Sequence, residues 1–133
     1  DIIIDGSDNF ETRYLTNETA FQLGIPFVFG ALSQWEGQIS VFYPIKGGPC
    51  YECIFPEKIS ANQALSCSEG GVFAPLPGVI GSIMAVEALK LITSVGKPMM
   101  SKLLIYDALN GEMREIKLSK NEDCAVCNVR VNE

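Results

Sequence analysis

The sequence predicts an α/β fold, a mixed sheet organised around one buried helix, and three features carry that reading. Asp1-Ile2-Ile3-Ile4-Asp5 is a short apolar run of the kind that forms a buried parallel strand. Ile39, Val41 and Tyr43 alternate with Gln38, Ser40 and Phe42, the period of a half-exposed antiparallel strand. Between Val79 and Ile92 apolar residues wrap almost the whole helical circumference, interrupted mainly by Glu87 and Lys90, which marks a helix at the centre of the core.

The elements follow in order. Ile2 to Ile4 form the first strand, closed by the polar turn Asp5-Gly6-Ser7-Asp8-Asn9. Phe10 to Leu23 read as a helix, with Asp8 or Asn9 available as its cap, Glu11 in its first turn and Gly24 as its stop before Pro26. Phe27 to Leu32 make a second strand and Gly37 to Tyr43 a third. Pro44 to Cys53 is a Gly/Pro-rich loop, and Pro56 to Gly71 a long connection with at most a helical turn around Ala61 to Leu65. Pro77-Gly78 opens the central helix and Gly96 with Pro98 closes it. Lys102 to Asp107 and Glu112 to Leu118 are the last strands, joined by a hairpin turn at Asn110-Gly111, and the tail from Ser119 to Glu133 is polar.

The length of 133 residues suits a single domain spanning 1–133, and 47% hydrophobic with 20% charged residues suits a cytoplasmic globular protein. A net charge of −6 argues against nucleic acid, and no run approaches the roughly 20 uncharged apolar residues of a membrane span. Histidine is absent, which excludes Ser-His and Cys-His catalysis and histidine-ligated metals within the chain. The chain opens without methionine, in a strand already under way, so further sheet partners are expected on its amino-terminal side.

Cys50-x-x-Cys53 and Cys124-x-x-Cys127 carry the strongest chemical signal. Two such pairs supply four thiolates to a tetrahedral zinc, and the 70 residues between Cys53 and Cys124 mean that the ion ties the tail to the middle of the domain. Two disulfides or a redox dithiol are the competing readings, disfavoured by a cytosolic setting and by the lack of a strand-CxxC-helix context. The fifth cysteine, Cys67, lies in a polar loop upstream of the central helix, either as an accessible nucleophile or as a spare surface thiol. Asp8 follows the first strand, where a carboxylate can hold magnesium, although a helix cap is the plainer role. Arg13, a turn further on, can reach an anionic ligand or pair with Glu11 or Glu18. Trp35 reads equally as core or as a partner contact.

Asp5-Gly6-Ser7-Asp8-Asn9-Phe10-Glu11-Thr12-Arg13-Tyr14 resembles the D-x-x-D-N-x-x-x-R segment of the MoeB/ThiF/HesA adenylyltransferases, relatives of ubiquitin-activating enzymes. The similarity continues through Pro49-Cys50-Tyr51-Glu52-Cys53, Gly70 to Gly81, Glu87-Ala88-Leu89-Lys90, Tyr106-Asp107-Ala108 and the final CxxC, in order along the whole chain. The resemblance implies the carboxy-terminal half of a Rossmann-like ubiquitin-activating-enzyme fold with a four-cysteine zinc site. It also implies a parent enzyme that uses ATP and magnesium to adenylate the C-terminal glycine of a ubiquitin-like sulfur carrier of the MoaD or ThiS kind, for molybdopterin or thiamin synthesis. On that basis Asp8 is a magnesium and ATP carboxylate, Asn9 and Arg13 are its neighbours in the site, Cys67 is the thiol that bonds the carrier, and the central helix region serves a homodimer. The family's glycine-rich phosphate loop precedes the segment matching Asp1, so the isolated chain is expected to bind ATP weakly or not at all. The alternative is a zinc-stabilised, non-enzymatic module that docks a ubiquitin-like partner or dimerises.

Overall fold

A computed structural model describes residues 1–56 and 70–128. The described chain forms a five-stranded sheet ordered β1-β2-β3-β4-β5, with β1 (Ile3–Asp5), β2 (Phe27–Ser33), β3 (Glu36–Phe42), β4 (Lys102–Asp107) and β5 (Glu112–Lys117). β1 runs parallel to β2, with Ile3 opposite Phe27, and every later pair is antiparallel. The sheet is therefore mixed. Among the described residues the α-helices are α1 (Phe10–Leu23), the short α2 (Tyr51–Ile54) and α3 (Leu76–Thr93), with a single 3-10 turn at Pro44–Lys46.

Strand alternation sends side chains to two separate cores. Phe27 and Phe29 of β2, Phe42 of β3 and Leu103 and Ile105 of β4 face α1 and α2, where they pack with Ala20 and Tyr51. Val28, Ile39, Val41 and Leu104 point the other way, onto Leu76, Ile80, Met84 and Ala88 of α3. Each large apolar side chain so buried contributes about 1.5–3 kcal/mol, before the entropy of ordering is charged against it. The α1 face is the aromatic one, with Tyr51 within 4.8–6.2 Å, ring centre to ring centre, of Phe55, Phe29, Phe42 and Phe27.

α1 has the limits its sequence predicts. Asn9 is the cap, its side-chain oxygen accepting the Thr12 N–H at 2.8 Å, and Gly24 ends the helix at φ +65°, a left-handed conformation that favours glycine. α3 begins at Leu76, with Pro75 as its cap, and ends at Ser94 (φ +58°) rather than at Gly96.

Three expectations need correction. β3 is antiparallel as expected, but Ile39 to Phe42 are buried on both faces, because α3 covers one and the aromatic cluster the other. Ser40 is tolerated there because its hydroxyl donates to the Lys102 carbonyl. Ile4 of the first strand is exposed, β1 being the edge strand of the described sheet and pairing there with β2 alone. Finally, α3 is buried along a single face. Leu76, Ile80, Met84, Glu87 and Ala88 face the sheet, whereas Val86, Leu89 and Ile92 are 52–67% exposed. By length and composition this helix is also apolar enough to cross a membrane, which the sequence reading did not allow for; its packing on β2 and β3 accounts for the apolar residues it buries. The expected turn around Ala61 to Leu65 lies outside the described residues.

Glu87 explains why a charge can sit on the buried face of α3. At 2% exposure its carboxylate accepts the Met99 N–H at 2.7 Å and pairs with Lys90, which in turn donates to the Lys97 carbonyl. The carboxylate thereby fixes the chain returning toward β4, as the Met99 carbonyl accepts the Val41 N–H.

Candidate functional site

Two polar constellations stand at neighbouring places on the α1 side of the sheet. The first is the turn from β1 into α1. Because side chains alternate along β1, Asp5 shares the inward face of Ile3, and it is this carboxylate, 7% exposed, that the strand end buries. One Asp5 oxygen accepts the Ser7 N–H at 2.7 Å. The other is buried without a partner, as are the Ser7 hydroxyl and Nε of Arg13. Arg13 donates from its terminal nitrogen to the Ser7 carbonyl, and its guanidinium lies over the rings of Phe10 and Phe29, at 5.1 and 5.8 Å from their centres.

Asp8, Asn9 and Arg13 thus come together in one turn, with different postures. Asp8 is exposed at its rim, Asn9 caps α1, and Arg13 reaches back under the turn. Sequence reasoning missed Asp5; the signal was its position two residues beyond Ile3 on the same face of the strand. Three unpartnered buried polar atoms in so short a segment leave hydrogen-bonding capacity that a polar ligand can use. Cys67 lies outside the described residues. Trp35, on the β2–β3 turn, is partly exposed and lies against Phe73, their centres 4.9 Å apart.

The second constellation is the cysteine cluster. Cys50 is the cap of α2 and Cys53 lies within it, Cys124 and Cys127 lie in the tail, and all four sulfurs lie within 4.8 Å of one another. The Cys50–Cys53, Cys50–Cys124 and Cys53–Cys127 separations are 3.8, 3.6 and 3.4 Å. A tetrahedral ion with sulfurs at about 2.3 Å holds them about 3.8 Å apart. The cysteines are free, with no disulfide among them, so the cluster has the size and chemistry of a metal tetrathiolate. Both CxxC pairs fall together as their spacing predicts.

Crowded thiols share their protons unequally. The hydrogen bond from Cys50 lowers Cys53 to about 4, while the same bond, followed by burial, pushes Cys50 up. Burial, then the bond to Cys53, raises Cys127 to about 12. The crowding thus favours the thiolate at Cys53 over its neighbours Cys50 and Cys127, and a divalent cation would stabilise such a thiolate directly. Between the two constellations stands Tyr51, its phenol raised to about 12 by burial and pulled back by the adjacent Arg13.

Residues 1–126 match the ThiF family. The chain is 48% identical over 131 residues to a sulfur carrier protein adenylyltransferase of Thermus thermophilus, covering 96% of this chain and 48% of that protein. It is 43% identical over 127 residues to the molybdopterin-synthase adenylyltransferase of Escherichia coli, covering 96% of this chain and 50% of that protein. The chain therefore spans about half the length of these relatives. The crystal structure of E. coli MccB superposes with a TM-score of 0.77 at 18% identity, over 100% of this chain and 40% of that one, a likeness of fold alone. The mixed sheet and its flanking helices are those the resemblance implied. Matched along nearly its whole length, the chain belongs to the ThiF family.

Proposed function

We propose that this chain forms the carboxy-terminal part of an adenylyltransferase that activates the C-terminal glycine of a ubiquitin-like sulfur carrier with ATP. The observation that supports this most is the β1–α1 turn, where Asp5, Ser7 and Arg13 leave buried polar atoms unpartnered at the carboxyl end of a parallel strand. The names of the relatives fit it, since the T. thermophilus protein is a sulfur carrier protein adenylyltransferase. Those relatives extend to about twice this length, so the activity is proposed for a protein of their size that includes this chain.

In this reading a carboxylate oxygen of the carrier attacks the α-phosphorus of ATP, and the bond to pyrophosphate breaks, leaving an acyl adenylate. Asp8, exposed at the rim of the turn, would hold magnesium, which when bound balances charge on the phosphates. Asn9 fixes the start of α1, and Arg13 offers a cation whose orientation the Phe10 and Phe29 rings constrain. Cys67 is the proposed thiol that bonds the carrier. The four clustered cysteines hold zinc, whose role is structural. The exposed outer face of α3, with Val86, Leu89 and Ile92, is the proposed homodimer contact, in a cytoplasmic enzyme.

The test is carrier-dependent exchange of pyrophosphate into ATP by a protein of the relatives' length that includes this chain. Asp8→Asn should lower the exchange rate by about 10²–10³-fold, the scale of losing one group that stabilises developing charge. Normal exchange in Asp8→Asn would remove that residue from the site. A protein that binds the carrier but forms no adenylate would refute the enzymatic reading and leave a zinc-stabilised docking module.

A further inference from the structure

Asn17 is the polar residue of α1 that neither the turn nor the sheet explains. It lies mid-helix, where asparagine is a poor helix former, yet it is 2% exposed and both ends of its amide are used. Its oxygen accepts the Tyr51 backbone N–H at 2.9 Å, and its nitrogen lies 3.5 Å from the Cys50 sulfur. The orientation of the amide follows from chemistry. A backbone N–H can only donate, so the oxygen must face Tyr51 and the N–H₂ must face Cys50. A sulfur coordinating a metal is an acceptor, so this N–H would meet a thiolate with a charge-assisted bond.

We propose that Asn17 is the positioning residue of the tetrathiolate centre: it donates to the Cys50 sulfur, orients that ligand, and locks α1 to the metal-bearing α2. The inference rests on the reading that the four cysteines hold zinc. A buried asparagine stands at a position where leucine or alanine would make the better helix, and its amide both accepts from Tyr51 and donates to Cys50. Partners that orient a metal's ligands generally change affinity by about 10–100-fold when removed.

The experiment uses the intact protein carrying one zinc per chain, and follows transfer of zinc to a colorimetric chelator under reducing conditions. Asn17→Ala removes both bonds. Asn17→Asp keeps an acceptor for Tyr51 and, read at a pH where its carboxyl is ionised, cannot donate to Cys50 and sets a negative charge beside the thiolates. Both variants should release zinc about 10–100-fold faster than the parent. In the cobalt-substituted protein, the sulfur-to-metal charge-transfer band should move to lower energy in both, since the thiolate loses a donor. If Asn17→Asp releases zinc at the parental rate while Asn17→Ala does not, the amide serves only the Tyr51 backbone and the proposal fails. An unshifted cobalt band in a folded Asn17→Asp protein would overturn it equally, and this readout stands even where Asn17→Ala does not fold. A parent protein that purifies without metal, with no affinity for zinc or cobalt, would instead remove the zinc reading itself.

Discussion

Removing the zinc proposed for the four cysteines should release the tail and leave the sheet folded. Glu122 to Asn128 is a seven-residue segment with few attachments of its own. Its backbone bonds are local, Cys124 N–H to Asn121 and Asn128 N–H to Cys124, and the Asn128 side chain bonds the Glu122 carbonyl. Only Cys124, Cys127 and the partly buried Val126 reach into the body of the domain, where Phe21 and the first cysteine pair receive them. Ordering seven residues costs about 7–14 kcal/mol of backbone entropy. A handful of hydrogen bonds at about 1 kcal/mol each, with one half-buried valine, fall short of that. Zinc binding in small tetrahedral sites is worth about 10–16 kcal/mol, enough to close the difference. The two sheet cores do not depend on it, since α3 covers one face and the aromatic cluster the other. Chelation with the thiols kept reduced should therefore abolish hydrogen-exchange protection at Cys124 and Asn128, open the tail to proteolysis, and leave the fluorescence of the single tryptophan, Trp35, unchanged. A tail that stays protected without metal would refute the reasoning, as would loss of protection across β2 and β3 at the same chelator concentration.

Two further predictions concern the fold that carries the site. A Cβ at Gly37 would stand 2.2 Å from Cδ1 of Ile80, so Gly37→Ala forces α3 off the sheet or Ile80 out of its rotamer. It should cost about 1–3 kcal/mol in urea unfolding, and shortening the neighbour in Gly37→Ala with Ile80→Val should recover part of it. At the β4–β5 turn, the Asn110 side chain and then its backbone N–H hold the Asp107 carboxyl below its ordinary range. A depressed folded-state pKa stabilises above the unfolded value and is lost as pH falls through the folded one, so the hairpin should loosen only in acid. Asn110→Ala should raise the Asp107 pKa toward the ordinary carboxylate value, as read by carboxyl NMR, and an unmoved titration would assign the shift elsewhere.

How far the sequence discloses this fold depends on what each residue signals locally. The limits of α1 were legible because Asn9 acts through its own side chain and Gly24 through its own backbone, and so was the β4–β5 hairpin, whose Asn110-Gly111 step adopts the turn with Gly111 at φ +68°. The cysteine spacing pointed to the cluster because two CxxC pairs can converge on one ion however far apart they lie in the chain. β3 was misread since burial on both faces depends on what other elements bring, and the alternation of Gln38, Ser40 and Phe42 with apolar residues cannot reveal that Ser40 finds a carbonyl on β4. The outer face of α3 was likewise invisible, because Val86, Leu89 and Ile92 look the same in sequence whether the chain covers them or not.

The site residues divide on the same principle. Asp8, Asn9 and Arg13 are legible as candidates because a polar turn at the end of a strand announces itself, whereas the placement of Asp5 and Asn17 has meaning only in three dimensions. Arg13 and Asn17 stand four residues apart, on one face of α1, and that face meets α2 at Tyr51. Arg13 bears on the Tyr51 phenol and Asn17 on its backbone, so one short helix beginning in the cysteine cluster touches both. The proposed metal centre and the turn that faces the proposed nucleotide therefore share one support, α1 packed on α2. Loss of zinc should then reach Arg13 through α1 and α2 even where the sheet keeps its shape, and a centre without any chemistry of its own can still set the geometry in which chemistry is done.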